Sequence, residues 1–393
     1  MLFCISLIPV DTKLSLVSDT ESAFVYLNPY FKKTGTQYRR GYVLPYVENF
    51  EDLFDSNNIT GGNFIFVDIQ KDIRLVSSSS KDFSWYGNSN TITNDANLAE
   101  NLNLPKLSAK FSRVRCFKNK LELIRDDIKK NIMQQVGDTK ENLIQLIKQN
   151  ILDIYKQTQC RAGIFTAGRD TGLINVLGRE ILDRLYIPKL IYDKLNNLQR
   201  EQLRLHHKLI VIDVETFEQM GLVNPLIPDK HGINYHRYMF PIPQEDVVFT
   251  GLYGETTLIP NLRYIELLCN KLNYFPSLIE YLKNYVRYNK PGSLLDPTCT
   301  GISKTNIVAD LVELWYNVRL VSSFESKLWV DPYRDFRILK IHFNKSAKEI
   351  VDSYNSMEPY KSIIESFDFE YFKNLIAGRK NEYTTLKNIK EYV

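Results

Sequence analysis

The stretch 160–224 constrains the fold more than any other part of the chain. Apolar runs at 162–167, 188–192 and 207–213 alternate with helix-length segments at 171–185 and 194–205. Strands punctuated by helices of this length predict an α/β middle to the protein. The last run carries the most chemically suggestive residues in the chain. His206, His207 and Lys208 precede the apolar sequence Leu209-Ile210-Val211-Ile212, and Asp213 follows it.

The flanking regions read differently, so the fold class expected is α+β. Residues 1–117 form a β-rich domain. Short β-branched or aromatic runs lie at 2–9, 13–17, 22–27, 42–47 and 63–69, and 73–76 returns as a hairpin partner across Gln70-Lys71-Asp72. A polar, poorly periodic segment at 77–103 reads as a long loop, with Trp85 and Tyr86 as a docking tip. A strand at 107–117 closes the region. From Lys118 the spacing of Leu121, Ile124, Ile128, Ile132 and Val136 turns helical. Gly137 ends that helix, and a second over 139–155 completes a helical hairpin. The hairpin and the α/β part make a second domain, 118–260, with further strands at 234–241 and 246–250. Residues 261–393 form a mainly helical region, with helices at 262–272, 277–288, 304–318 and beyond Ser346, and a strand at 336–343.

A chain of 393 residues that is 44% hydrophobic and 24% charged can bury a large core without a metal or disulfide staple. The net charge of +4, from 50 basic and 46 acidic residues, neither requires nor excludes nucleic acid. Five scattered cysteines, Cys4, Cys116, Cys160, Cys269 and Cys299, have no zinc or redox spacing and read as reduced thiols in the cytoplasm. The apolar start, broken by Pro9, reads as a first strand and not a signal peptide. No apolar run reaches the ~18 residues of a membrane span. Scarce glycine and abundant tyrosine and phenylalanine fit an AT-rich coding genome: a low-GC bacterium, its phages or a large DNA virus.

The segment from His206 to Asp213 resembles the phospholipase D superfamily motif of His, any residue, Lys, four residues, Asp. The resemblance implies that His206 attacks phosphorus, Lys208 neutralises phosphate oxygens and Asp213 orients. On a strand, His206 and Lys208 would share one face. Gly221-Leu222-Val223-Asn224 is similar to the family's Gly-Ser-x-Asn element, one residue late and with Leu222 where a small residue stands. His231, His236 and His342 do not repeat the motif, so two half-sites would require a dimer. The same stretch, with Asp213 and Glu215 two apart, resembles the first motif of DnaQ-like exonucleases, where such a pair binds a divalent metal. Asp310 is the best second carboxylate, and Asp331, Asp335 and Asp352 supply no convincing third.

Gly163, Gly168 and Gly172 lie between a strand and a helix, a place for a phosphate or simply a tight turn. No P-loop Lys-Ser or Lys-Thr follows them. Lys32, Lys33, Tyr38, Arg39 and Arg40 interleave basic and aromatic residues, the composition of a nucleic-acid contact and of an ordinary exposed hairpin. Lys283, Tyr285, Arg287 and Tyr288 repeat it more weakly. No complete catalytic set can be assembled, and the sequence calls for no cofactor. The leading expectation is a non-catalytic structural or interaction subunit, in a homo- or hetero-oligomer such as a phage or viral particle. It would sit in the cytoplasm, in the host cytoplasm or virion if viral. A phospholipase D-like phosphodiesterase or nuclease and a DnaQ-like exonuclease are the alternatives.

Overall fold

A computed structural model of the chain describes residues 2–19, 23–55, 59–70, 72–77, 85–107, 111–125, 143–166, 169–212, 215–216, 239–240, 245–251, 254, 328–335 and 337–338. Both sheets and helices are present, a mixed α and β fold. Two compact units emerge. The first comprises Met1–Gln135, Lys156–Gln159 and Tyr316–Val330, and the second Val136–Tyr155, Cys160–Trp315 and Asp331–Val393.

The first unit is built from β1 (Phe3–Ser6), β2 (Ser15–Asp19), β3 (Phe24–Leu27), β4 (Lys32–Thr34), β5 (Gln37–Leu44), α1 (Phe50–Asp55), β6 (Gly61–Ile69), β7 (Ile73–Ser77), β8 (Tyr86–Gly87), β9 (Thr91–Thr93), α2 (Ala96–Asn101), β10 (Phe111–Phe117) and β11 (Lys120–Arg125). They form two antiparallel sheets, ordered β2-β3-β1-β9-β8 and β11-β10-β7-β6-β5-β4. All four residues of β1 are buried, as a central strand requires. The long pairing of β5 with β6 depends on two glycines. Gly41 and Gly62 have φ of +99° and +107°, and a Cβ at either would collide with the facing backbone. One face of this sheet is covered by α1, whose Phe50, Leu53 and Phe54 pack on Val43, Phe64, Phe66 and Val76. Truncating one of these phenylalanines should cost about 3–5 kcal/mol. Gln157 seals the same region by giving its amide to Val43 O and accepting from Val43 N, both at 2.9 Å.

Two expectations fail here. The segment 77–103 is no plain loop, because β8, β9 and α2 lie within it and Asp95 caps α2. Its Trp85 is a core residue, packed edge-on against Phe3 at 5.1 Å. The helix expected from Lys118 begins instead as β11. Lys118 and Asn119 take positive φ (48° and 58°), making a two-residue hairpin turn that pairs Phe117 with Lys120.

The second unit contains α3 (Leu143–Thr158, up to Tyr155), β12 (Ala162–Ile164), α4 (Arg169–Leu177), β13 (Arg184–Pro188), α5 (Lys189–Tyr192), α6 (Asn197–His206), β14 (Lys208–Ile212), β15 (Glu215–Thr216), β16 (Met239–Phe240) and β17 (Val247–Phe249). The strands run β14-β13-β12-β17, every pairing parallel. The chain leaves β12 toward β13 and β14 and returns on the other flank at β17, so the topological switch lies between β12 and β17. The helix expected at 171–185 stops at Leu177, with Gly178 in the turn that follows. The next strand comes earlier than expected, because Leu185, Tyr186 and Ile187 are the residues the core buries. Residues 188–192, expected as that strand, are instead the short helix α5 and its Pro188 cap.

In the first unit, β18 (Leu328–Val330) is fully buried. Arg337 and Ile338 are helical, not part of the strand expected at 336–343. The helices expected at 262–272, 277–288, 304–318 and beyond Ser346 lie outside the described residues. Among the described residues no helix is long and apolar enough to cross a membrane. Cys4, Cys116 and Cys160 are buried and free of disulfides, and burial pushes the thiols of Cys4 and Cys160 up to about 12.

Candidate functional site

The structure puts the two residues that the motif would pair on different elements. Helix α6 begins with a capping box, in which Asn196 accepts from Gln199 N and Gln199 accepts from Asn196 N, both at 2.9 Å. It runs on through His206, which is exposed at its carboxyl end. The strand starts only at Lys208, also exposed, whose N–H donates to Asp183 O at 2.8 Å. His206 and Lys208 are therefore not two positions on one strand face. Both sit at the amino end of β14, whereas ligands of parallel sheets collect at the carboxyl ends. Asp213 and Gly221–Asn224 lie outside the described residues. Glu215 opens β15, opposite Phe240.

The buried member of the trio is the one the motif leaves unassigned. His207 caps α6 and is 4% exposed. Its Nδ1 lies 2.7 Å from Leu182 O, and a carbonyl can only accept, so Nδ1 carries the proton and Nε2 is left as a bare lone pair. Burial is the main cause holding this imidazole below its ordinary pKa, and the neighbouring His206 adds to it. The hydrogen bond to Leu182 and the charge of Asp183 act the other way. His207 is thus a neutral bracket between α6 and the strand entry.

A second polar concentration sits at the carboxyl side of the sheet, around the switch between β12 and β17. Thr250, just after β17, reaches Asp331 Oδ2 at 3.4 Å, and Asp331 Oδ1 accepts from Tyr333 N at 2.9 Å. The Tyr333 hydroxyl donates to Asp170 O in α4 at 2.9 Å. Asn150 of α3 donates to Pro332 O and to Asp335 Oδ2, at 2.9 and 3.0 Å. Arg337 closes the network by donating to Asp335 Oδ2 (2.8 Å) and Asn150 Oδ1 (3.0 Å). Asn150, Tyr333 and Asp335 are fully buried, and Asp331 nearly so. Burial, with Asp170 and Asp331 nearby, pushes the Tyr333 phenol well above its usual range.

Gly251 and Gly254 let the loop after β17 lie flush on Asp170, where any Cβ would collide. In sheets of this kind the crevice at the switch holds a ligand. Here Thr250, Gly251, Gly254 and residues 331–335 pack at the switch beside Asp170. Asp331 and Asp335, two of the aspartates that supplied no convincing third metal ligand, are structural acceptors. Among the described residues no group of three or more His, Cys, Asp or Glu is arranged to hold a metal ion. Sequence reading missed this network because Asn150 and Asp335 are 185 residues apart. Its one local signal is the alternation of charge and aromatic side chains in Asp331-Pro332-Tyr333-Arg334-Asp335.

The basic hairpin forms as expected, with Lys32 opposite Arg39 and Lys33 opposite Tyr38 at the margin of the six-stranded sheet. Its members divide. Lys32 and Lys33 are exposed, but Tyr38 is 6% exposed, its hydroxyl directed to Val17 O at 3.4 Å and its ring capped by the Lys33 ammonium. Arg39 lies over Phe66 and donates to Gln37 and to Glu48 O, while Arg40 lies over Tyr30 and donates to its carbonyl. Lys32 and Lys33 keep exposed charges, and the exposed aromatic ring of this region is Tyr30, at 38%, and not Tyr38.

The remaining feature is apolar. β14 has the uninterrupted Leu-Ile-Val-Ile of a strand meant to be covered on both faces. Yet none of its residues is fully buried, Val211 is 40% exposed, and among the described residues it pairs with β13 alone. Beside it, α6 exposes Leu198 (53%) and Leu205 (77%). Compared with protein-family models and with curated proteins, the sequence matches none.

Proposed function

We propose that the chain is a non-catalytic interaction subunit of a larger assembly, docking through the α6–β14 margin of its parallel sheet. The observation that carries this reading is the mismatch on β14, an interior-type sequence on a strand that has one neighbour among the described residues. A row of unpaired backbone groups flanked by apolar side chains is a template for another chain. The polar groups fit the same reading. His207 is neutral and structural, and the aspartates around the sheet's switch point are consumed in a network. The test is to isolate the tagged chain from its native cells. The chain is expected in a particle heavier than its own 45.9 kDa, and Val211→Lys is expected to come out alone. A Val211→Lys chain that stays in an undiminished particle contradicts the docking surface.

The phosphodiesterase reading keeps one observation in its favour: His206 and Lys208 are both exposed at the same end of β14. Hydrolysis of bis(p-nitrophenyl) phosphate or DNA that disappears in His206→Ala would decide for it. The interaction reading expects no such activity.

A further inference from the structure

We propose that the occupant of the β14 edge is a second copy of this chain, paired antiparallel about a twofold axis through Ile210. The inference rests on the docking reading above and goes further by naming the partner and the register.

The edge is complementary to itself. A twofold axis normal to the sheet keeps both faces continuous and makes the two β14 strands antiparallel. Residues directly opposite must then point to one face, which restricts the register to pairs summing to an even number. Centring on Ile210, the middle residue of Lys208–Ile212, pairs the whole strand with its mate. Ile210 meets the partner's Ile210, Leu209 meets the partner's Val211, and Lys208 meets the partner's Ile212. The exposed Val211 is covered by an aliphatic side chain, as cross-strand pairing favours.

Charge selects the direction. The segment carries its one charge at one end, Lys208. An antiparallel mate keeps the two lysines roughly 13 Å apart along the strands. A parallel mate would set lysine beside lysine. A five-residue strand pair alone falls short of the roughly 1,000 Å² of a stable interface. Leu198 and Leu205, on the helix that packs beside β14, supply further apolar area.

The purified full chain, with Cys269 and Cys299 replaced by serine, gives a register-specific test. Ile210→Cys places equivalent sulfurs across the axis within disulfide reach, about 4.5–5.5 Å between Cα atoms. Ile212→Cys places them four residues apart along the strand and out of reach. The expected result is a covalent dimer from Ile210→Cys on oxidation, little or none from Ile212→Cys, and a parent chain sedimenting at twice 45.9 kDa. A parent at 45.9 kDa with neither variant cross-linking overturns the second-copy inference and leaves the docking reading to its own test in native cells. A dimer that Ile212→Cys traps as readily as Ile210→Cys overturns the register.

Discussion

Two margin strands among the described residues, β4 and β14, are finished in opposite ways. β4, at the margin of the six-stranded antiparallel sheet, is three residues long, fully exposed and carries Lys32 and Lys33. β14, at the margin of the parallel sheet, is five residues long and, after Lys208, wholly aliphatic. Short length and lysines blunt an edge against pairing with other chains. β4 has both devices, whereas β14 is longer and carries its one lysine at its first position. On the docking reading proposed above, the β14 edge is the one left to accept another chain. The cation at β4 that a nucleic-acid reading would use is, on this comparison, first a guard on the edge.

The largest effect expected is a control that touches neither edge. Asp335→Ala leaves Arg337 and Asn150 without their buried acceptor and should cost about 3–5 kcal/mol of stability, read as a fall in melting temperature. It should leave association per folded molecule unchanged, separating sheet integrity from edge behaviour. Next comes Val211→Lys, which gives β14 the device of β4. It should weaken association by about 2 kcal/mol, roughly 30-fold in dissociation constant, measured by sedimentation, with little change in melting temperature.

A smaller effect follows from His207, which brackets the start of β14. Its folded pKa lies below the unfolded one, so protonation favours the unfolded chain. The stability it contributes is complete above the ordinary histidine pKa of about 6.5 and is lost as pH falls below that toward the depressed value. Melting curves from pH 7.5 to 5 should show this loss in the parent and less of it in His207→Gln. The smallest effect is the converse swap. Lys32→Val with Lys33→Val should change stability by less than about 0.5 kcal/mol yet raise concentration-dependent aggregation in light scattering.

The strands β1, β2, β3, β6 and β7 could be seen in the sequence because their apolar runs are short and bounded by turn residues, whereas β5 (Gln37–Leu44) was expected late, at 42–47. The α/β alternation was visible too, but not its phase. Leu185 was assigned to a helix, and Tyr186 and Ile187 to neither element, because helical and buried-strand runs look alike when both are apolar. The Lys118-Asn119 turn was hidden because Leu121 and Ile124 satisfy a helical spacing, although Leu121 and Leu123 also fit a strand. The end of α6 was decided by Leu182, which takes the His207 hydrogen bond from 25 residues away, a contact no local pattern encodes. Of the residues at 206–208, Lys208 lies on the strand as expected, while His206 belongs to the helix and His207 to its cap.

The central claim is that β14, unlike β4, is an edge made to be covered by a second copy. Hydrogen exchange at the backbone amides of both strands, followed across protein concentration, tests it most directly. Protection at Leu209–Ile212 that grows with concentration while Lys32–Thr34 stays unchanged is the predicted result. Exchange at β14 that is independent of concentration, and no slower than at β4, would contradict it.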